Sequence, residues 1–242
     1  SAKSRKDLVK IKEKIETAYK LHSNEELGNL LSYVYYKLGD FDNALKILKN
    51  LNSVFARYLE ANIRVAKRDF YIAYNILKSI YPFAKGDLKM EILTMELLIL
   101  SNVYNYEKIK KILEKEDMEK VENYIYENAI SISDLIFNGL YGYTEAEKEL
   151  KENKNLRTAY KRLRNVLRNI CERDFKIIPM LETDEETGDK SFVFYVISDD
   201  FCRDKEEEII REVYLKEPKI KEIFFIDFKK VREEEMKLVL SE

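Results

Sequence analysis

Apolar positions in the first half of the chain recur at helical spacing, and one phrase is written three times. It reads Asp40-Phe41-x-x-Ala44-x-x-Ile47-Leu48, then Asp69-Phe70-x-x-Ala73-x-x-Ile76-Leu77, then Asn105-Tyr106-x-x-Ile109-x-x-Ile112-Leu113. In each copy a short oxygen-bearing side chain is placed to cap a helix. The aromatic residue packs back on the preceding turn, the next position sets how close a neighbour comes, and the Ile-Leu pair continues the stripe. Ahead of the copies, first helices are predicted by Leu27, Leu30, Leu31, Val34 and Tyr35, by Leu59, Ile63 and Ala66, and by Leu93, Leu97, Leu98 and Leu100. In the turn Leu38-Gly39-Asp40, Gly39 can take the left-handed conformation that ends one helix while Asp40 starts the next. The pattern predicts three helical hairpins, a recurring unit that stacks into an extended binding surface more often than it encloses an enzyme pocket.

The alternation changes character near residue 130. Ser131-Ile132-Ser133-Asp134 resembles a helix start, Gly139 and Gly142 flank Leu140-Tyr141, and Thr144-Glu145-Ala146-Glu147 opens a further helical stretch, so 131–155 reads as a helical junction. A helix over Leu156 to Glu172 follows. Two apolar runs, Phe175 to Leu181 and Phe192 to Ile197, lie either side of a Gly-containing turn and predict a β-hairpin, with Pro179 at a sheet edge or bulge. Asp204 to Lys216 reads as a helix ended by Pro218, and Ile220 to Phe228 as a third strand. Periodicity leaves Val231 to Leu240 open between a helix and a fourth strand. The expected fold is mainly α with a C-terminal α+β part: helical repeats over 1–130, the junction, and a helix-strand-strand-helix-strand domain over 156–242.

At Leu31-Ser32-x-x-Tyr35-x-x-x-Gly39-x-Phe41-x-x-Ala44 the chain resembles the tetratricopeptide repeat, over roughly residues 24 to 116. The second copy departs from it with Arg64 in place of Tyr35 and Arg68 in place of Gly39. The third carries Leu97 and Ile109 at the small positions. The spacings, 29 residues from Phe41 to Phe70 and 36 from Phe70 to Tyr106, are also uneven against the family's period of about 34. The resemblance implies an irregular array of hairpins binding a protein or peptide segment along its first helices. The residues expected to meet the partner are Asn29, Tyr33, Tyr36, Asn62, Arg64 and Lys67. Tyrosine and arginine suit that role because they combine large contact area with a polar handle.

Charge adds one feature. No acidic residue stands between Asn153 and Cys171, and Lys154, Arg157, Lys161, Arg164 and Arg168 fall at steps of three or four, beside Arg162. On a helix these form a basic stripe opposite Leu156, Tyr160, Leu163, Leu167 and Ile170. Such a face suits an acidic protein surface or nucleic-acid phosphates. Residues 174–242 also hold 20 acidic against 12 basic residues, enough to neutralise it internally. The whole chain carries only −2, which gives no general case for nucleic-acid binding.

The remaining chemistry is thin. His22 is the one histidine, and it stands at a predicted helix end, where the helix dipole favours it. Cys171 and Cys202 have no metal-ligand spacing, and the acidic turn Glu182 to Asp189 lacks a calcium-loop pattern, so no metal or cofactor is expected. Asp227-x-Lys229 resembles the strand motif of PD-(D/E)xK metal-dependent nucleases, with Asp199 or Asp200 as further ligands. The solvent face of a strand end explains the same residues. Few apolar runs are long, and the longest, Met90 to Val103, is interrupted by Glu91, Glu96 and Asn102, so no membrane span is expected. The start, Ser1 to Lys6, is not followed by the apolar segment of a secretory signal, which points to a cytosolic location. Abundant Lys, Glu and Ile without tryptophan or glutamine is thermophile-like. The reading is a non-enzymatic interaction or scaffold protein, with nucleic-acid binding through the basic helix, extending to metal-assisted cleavage, as the alternative; oligomeric state is left open.

Overall fold

The structure, a computed structural model, describes residues 5–184, 186–214 and 223–241. It is mainly α-helical with a small α+β part at the C-terminal end. Chain contacts divide it into two compact units, 1–99 and 100–242.

The first unit holds α1 (Arg5–His22), α2 (Glu25–Leu38), α3 (Phe41–Leu48), α4 (Val54–Ala66), α5 (Phe70–Ile80), a short 3₁₀ turn and most of α6 (Gly86–Asn102), which carries the chain into the second unit. α2 pairs with α3 and α4 with α5, and α4 also packs on α2 and α3. Their shared core is built from Leu31, Val34 and Tyr35 of α2, Ala44 and Leu48 of α3, and Ala56, Leu59 and Ile63 of α4. Asn24 and Ser53 cap α2 and α4 by accepting from Leu27 N (2.8 Å) and Ala56 N (3.2 Å).

The repeated phrase folds the same way each time. The residues before the three caps, Gly39, Arg68 and Tyr104, all have positive φ, at +81°, +59° and +58°. The caps Asp40, Asp69 and Asn105 share φ/ψ of −89/72°, −85/59° and −89/63°. Each cap amide donates five residues back, to Tyr35 O (2.9 Å), Arg64 O (2.8 Å) and Leu100 O (2.9 Å), the bond that closes a helix behind a left-handed residue. Arg68 and Tyr104 therefore hold a conformation that Gly39 adopts freely, at roughly 1–2 kcal/mol each for a residue with a Cβ. Ala44, Ala73 and Ile109 are all fully buried, in the register the pattern predicts. One cap differs. Asp40 and Asn105 accept from Asn43 N and Lys108 N, whereas Asp69 makes no such bond and accepts instead from the guanidinium of Arg64 at 3.3 Å.

The second unit contains α7 (Tyr106–Leu113), α8 (Met118–Asn128), α9 (Ile130–Glu152), α10 (Lys154–Ile170), β1 (Lys176–Thr183), β2 (Lys190–Ser198), α11 (Arg203–Tyr214), β3 (Phe225–Lys230) and α12 (Glu233–Val239). β2 is central, antiparallel to β1 and parallel to β3, with α11 in the crossover. Pro179 lies on edge strand β1, where its missing N–H costs no ladder bond. One sheet face, with Phe192, Phe194 and Val196 of β2, packs on Leu156, Leu163 and Leu167 of α10 and Ile209 and Val213 of α11. The final stretch resolves as a helix, its start closed by Glu235 accepting from Arg232 N at 2.9 Å. The expected end of α11 at Lys216, Pro218, and the start of the third strand at Ile220 lie outside the described residues.

The reading of 131–155 needs correction at its glycines. Residues 130–152 form one unbroken helix, and Gly139 and Gly142 neither end nor restart it. They are there because α9 runs against other groups too closely for a side chain. A Cβ on Gly142 would lie 2.7 Å from the carbonyl oxygen of Leu181 in β1, and one on Gly139 would lie 2.5 Å from the ring of Tyr106. α9 thereby covers β1, an edge strand that would otherwise offer unpaired backbone groups to another chain. At the opposite end, the third phrase is fastened to the C-terminus, since Asn105 Nδ2 donates to Leu238 O (2.6 Å) and Ser241 O (3.0 Å). The third copy thus begins the second unit rather than closing the first.

Candidate functional site

The six residues expected to meet a partner do not form one set. Asn29, Tyr33 and Tyr36 fall on one side of α2 by their spacing. Tyr33 is 42% exposed, its ring lies 6.4 Å from that of Tyr36, and Lys37 Nζ sits 5.2 and 5.6 Å from the two ring centres. Tyr36 also packs on Phe41 at 6.0 Å. On α4, Asn62 donates to Tyr58 O (3.0 Å), and the neighbouring Phe55 is 46% exposed with its ring 6.4 Å from that of Tyr58. Arg64 and Lys67 are turned elsewhere, to Asp69 and, at 3.0 Å, to Asp42 of α3. The structure thus gathers the aromatic residues and removes the two cations into ion pairs. Phe55 had no signal in the sequence beyond its place in an apolar stripe.

The basic stripe is real as a surface. Lys154, Arg157, Lys161, Arg164 and Arg168 are all exposed on α10. The side chains of Lys154, Lys161, Arg164 and Arg168 make no ion pair or hydrogen bond with any described residue, and Arg157 donates to the carbonyl of Lys151. Arg162 departs from the stripe to donate to Glu212 O of α11 at 3.4 Å. Of the acidic residues that follow it in the sequence, Asp199 pairs with Arg173 at 2.9 Å, Asp200 with Lys205 at 2.5 Å and Glu207 with Arg203 at 2.9 Å.

Where the stripe passes Arg164, a cleft of about 360 Å³ opens between α7, α9, α10 and the outer edge of β1. Five aromatic rings reach it, from Tyr104, Tyr106, Tyr143, Tyr160 and Phe175. Tyr106 and Tyr143 stack at 6.0 Å, and Tyr160 leans on Phe194 of the core at 5.7 Å, so these rings are fixed before any ligand arrives. Burial, then the charge of Tyr104, pushes the Tyr106 phenol up to about 12. Burial, then the bond from Tyr143 to Glu147 (2.9 Å), raises Tyr143 as well. Both stay protonated donors across the physiological range. The two carboxylates in the cleft are already matched. Glu147 lies 3.7 Å from Lys110, and Glu107 lies 3.2 Å from Lys111 and 3.8 Å from Lys176. Lys176 is further held by donating to Val239 O at 2.8 Å. Arg164 and Lys151, at the rim, have no carboxylate partner among the described residues.

The strand motif near the C-terminus assembles differently from the nuclease pattern. Asp227 pairs with Lys229, whose ammonium lies 4.6 Å from the ring centre of Tyr195 and 5.8 Å from that of Tyr104, while Tyr195 donates to Glu182. Burial pulls the Lys229 ammonium down, but the bond to Asp227 and the charges of Asp227, Tyr104 and Glu182 outweigh it, and the group stays charged. In the β2–β3 register Asp227 stands opposite Tyr195, whereas Asp199 and Asp200 lie beyond the end of β2, held by Arg173 and Lys205. Among the described residues no group of three His, Cys, Asp or Glu side chains is arranged to hold a metal ion. Cys171 is part-buried with its thiol raised by that burial, and Cys202 is exposed. No described helix is long and apolar enough to cross a membrane.

No protein-family model, no curated protein and no solved structure matches the chain.

Proposed function

We propose that the chain is a non-enzymatic interaction protein of the cytosol, whose hairpins are irregular tetratricopeptide-like units presenting α2 and α4 to a protein or peptide partner. The observation that carries this is the side of α2 where Tyr33 and Tyr36 stand exposed and half-buried with Lys37 across both rings. Aromatic residues held rigid and partly open supply contact area at little ordering cost, as binding hot spots do. Affinity capture with the whole chain as bait, compared with Tyr33→Ala/Tyr36→Ala, tests it. The expected result is a partner reduced at least about tenfold by the double change. A partner retained in full by a folded variant overturns the assignment to α2.

A second reading rests on the unpaired stripe of α10. Exposed cations with no carboxylate partner among the described residues can neutralise the phosphates of a nucleic acid and release the counterions condensed on it. A labelled single-stranded oligonucleotide should bind at low salt, with an affinity falling by a log-log slope of about −0.7 per neutralised phosphate. Lys154→Glu/Lys161→Glu/Arg168→Glu should abolish the binding; absence of a shift with unaltered protein at low salt removes this reading.

A further inference from the structure

The charge balance of the tyrosine cleft is uneven in a way that specifies a ligand. Its carboxylates, Glu107 and Glu147, are matched by Lys110, Lys111 and Lys176, and Glu147 also accepts from the phenol of Tyr143, while Arg164 and Lys151 have no carboxylate partner among the described residues. The unmet demand is for an anion beside flat, part-exposed rings. A volume of about 360 Å³ is that of a small-molecule site. Neutralised carboxylates keep free lone pairs and accept hydrogen bonds from ring or exocyclic N–H groups. A planar heterocycle carrying N–H donors and joined to a phosphate satisfies all three conditions.

We infer that this cleft binds a nucleotide, the base lying against the part-exposed rings of Tyr104, Tyr160 and Phe175 and donating to Glu107 or Glu147, the phosphate held by Arg164 and Lys151. A guanidinium suits the phosphate because its fork of N–H donors matches two oxygens. Base–aromatic stacking tolerates any base, so discrimination among bases falls to the two carboxylates. The site does not use the α2 surface and shares only Arg164 with the stripe, so loss of oligonucleotide binding in Lys154→Glu/Lys161→Glu/Arg168→Glu with mononucleotide binding kept separates it from the second reading.

The test is equilibrium dialysis of the whole chain against AMP, GMP, CMP and UMP, with phenyl phosphate and inorganic phosphate as comparison ligands. At least one nucleotide is expected to bind more tightly than either comparison. Arg164→Glu should weaken it at least about tenfold, Lys151→Glu should weaken it also, and Lys46→Glu, an exposed cation of α3 outside both the cleft and the stripe, should leave it unchanged. Because Arg164 and Lys151 are exposed, charge reversal leaves the fold in place, which circular dichroism checks. A 5′-phosphorylated tetranucleotide binding more tightly than its mononucleotide assigns the site to a strand end, and equal or weaker binding assigns it to a free nucleotide. No binding of any nucleotide up to about 1 mM, binding indifferent to Arg164→Glu, or phenyl phosphate binding as well as a nucleotide each overturns the proposal.

Discussion

Phe194→Ala is expected to lower the stability of the chain by about 3–5 kcal/mol, measured by denaturant unfolding of the whole protein. Phe194 is fully buried in the central strand, on the face that packs against α10 and α11. Its ring meets those of Phe192 at 5.1 Å and Phe224 at 4.9 Å, both edge-on, and that of Tyr160 at 5.7 Å. Truncation removes the transfer energy of a whole phenyl group and leaves a void that three rings cannot fill together, because each is also held by its own element. Phe194→Leu keeps most of the volume and should cost no more than about 1.5 kcal/mol. The same void loosens Tyr160, so the alanine variant should also weaken any ligand of the cleft. A loss below about 1 kcal/mol for Phe194→Ala would show that the sheet and α10 do not share a packed core.

How much of this was legible in the sequence follows from how local each feature is. The repeated phrase could be read because a cap, a stripe and a turn are set within ten residues, and the order of helices and strands from residue 154 to 230 follows from the periods of their apolar positions, whereas the last helix does not. Gly39 announced its left-handed turn, but Arg68 and Tyr104 did not. Their positive φ is imposed by the closing bond behind them and by the packing of the next helix, neither of which propensity records. Gly139 and Gly142 look like breaks in a sequence for the same reason that they serve a continuous helix, namely that they lack a Cβ, and only the approach of Tyr106 and Leu181 tells the two uses apart. The cleft was illegible because its rings come from positions between 104 and 175, on elements whose apposition no short pattern encodes. The basic stripe was legible as a stripe. That it has no acidic partner among the described residues was not legible, since it depended on which cations the C-terminal acids met: Asp199 met Arg173, Asp200 met Lys205 and Glu207 met Arg203.

Asn105→Asp should be more damaging than Asn105→Ala at neutral pH, although aspartate occupies the equivalent place in the other two copies. Asn105 is fully buried and uses both ends of its amide. Its oxygen caps α7 through Lys108 N at 3.2 Å, and its nitrogen donates to Leu238 O at 2.6 Å and Ser241 O at 3.0 Å. A carboxylate keeps the cap but has no donor, so it would face two carbonyl oxygens with an uncompensated charge in a buried place. Alanine loses the cap and both bonds, about 2–3 kcal/mol, but buries no charge. The expected cost of Asn105→Asp is about 3–5 kcal/mol, since a buried unpaired charge costs more than an unmade neutral bond. The pH dependence separates the two variants. Protonation of the introduced carboxyl restores one donor, and its folded-state affinity for that proton lies above the unfolded one, so the variant's deficit relative to the unaltered chain should shrink as pH falls toward the carboxyl range. Asn105→Ala has no group that titrates and should show no such recovery. Equal stability of Asn105→Asp and the unaltered chain at neutral pH would mean that the third phrase is not tied to the C-terminal helix, and that Asn105 is only a cap.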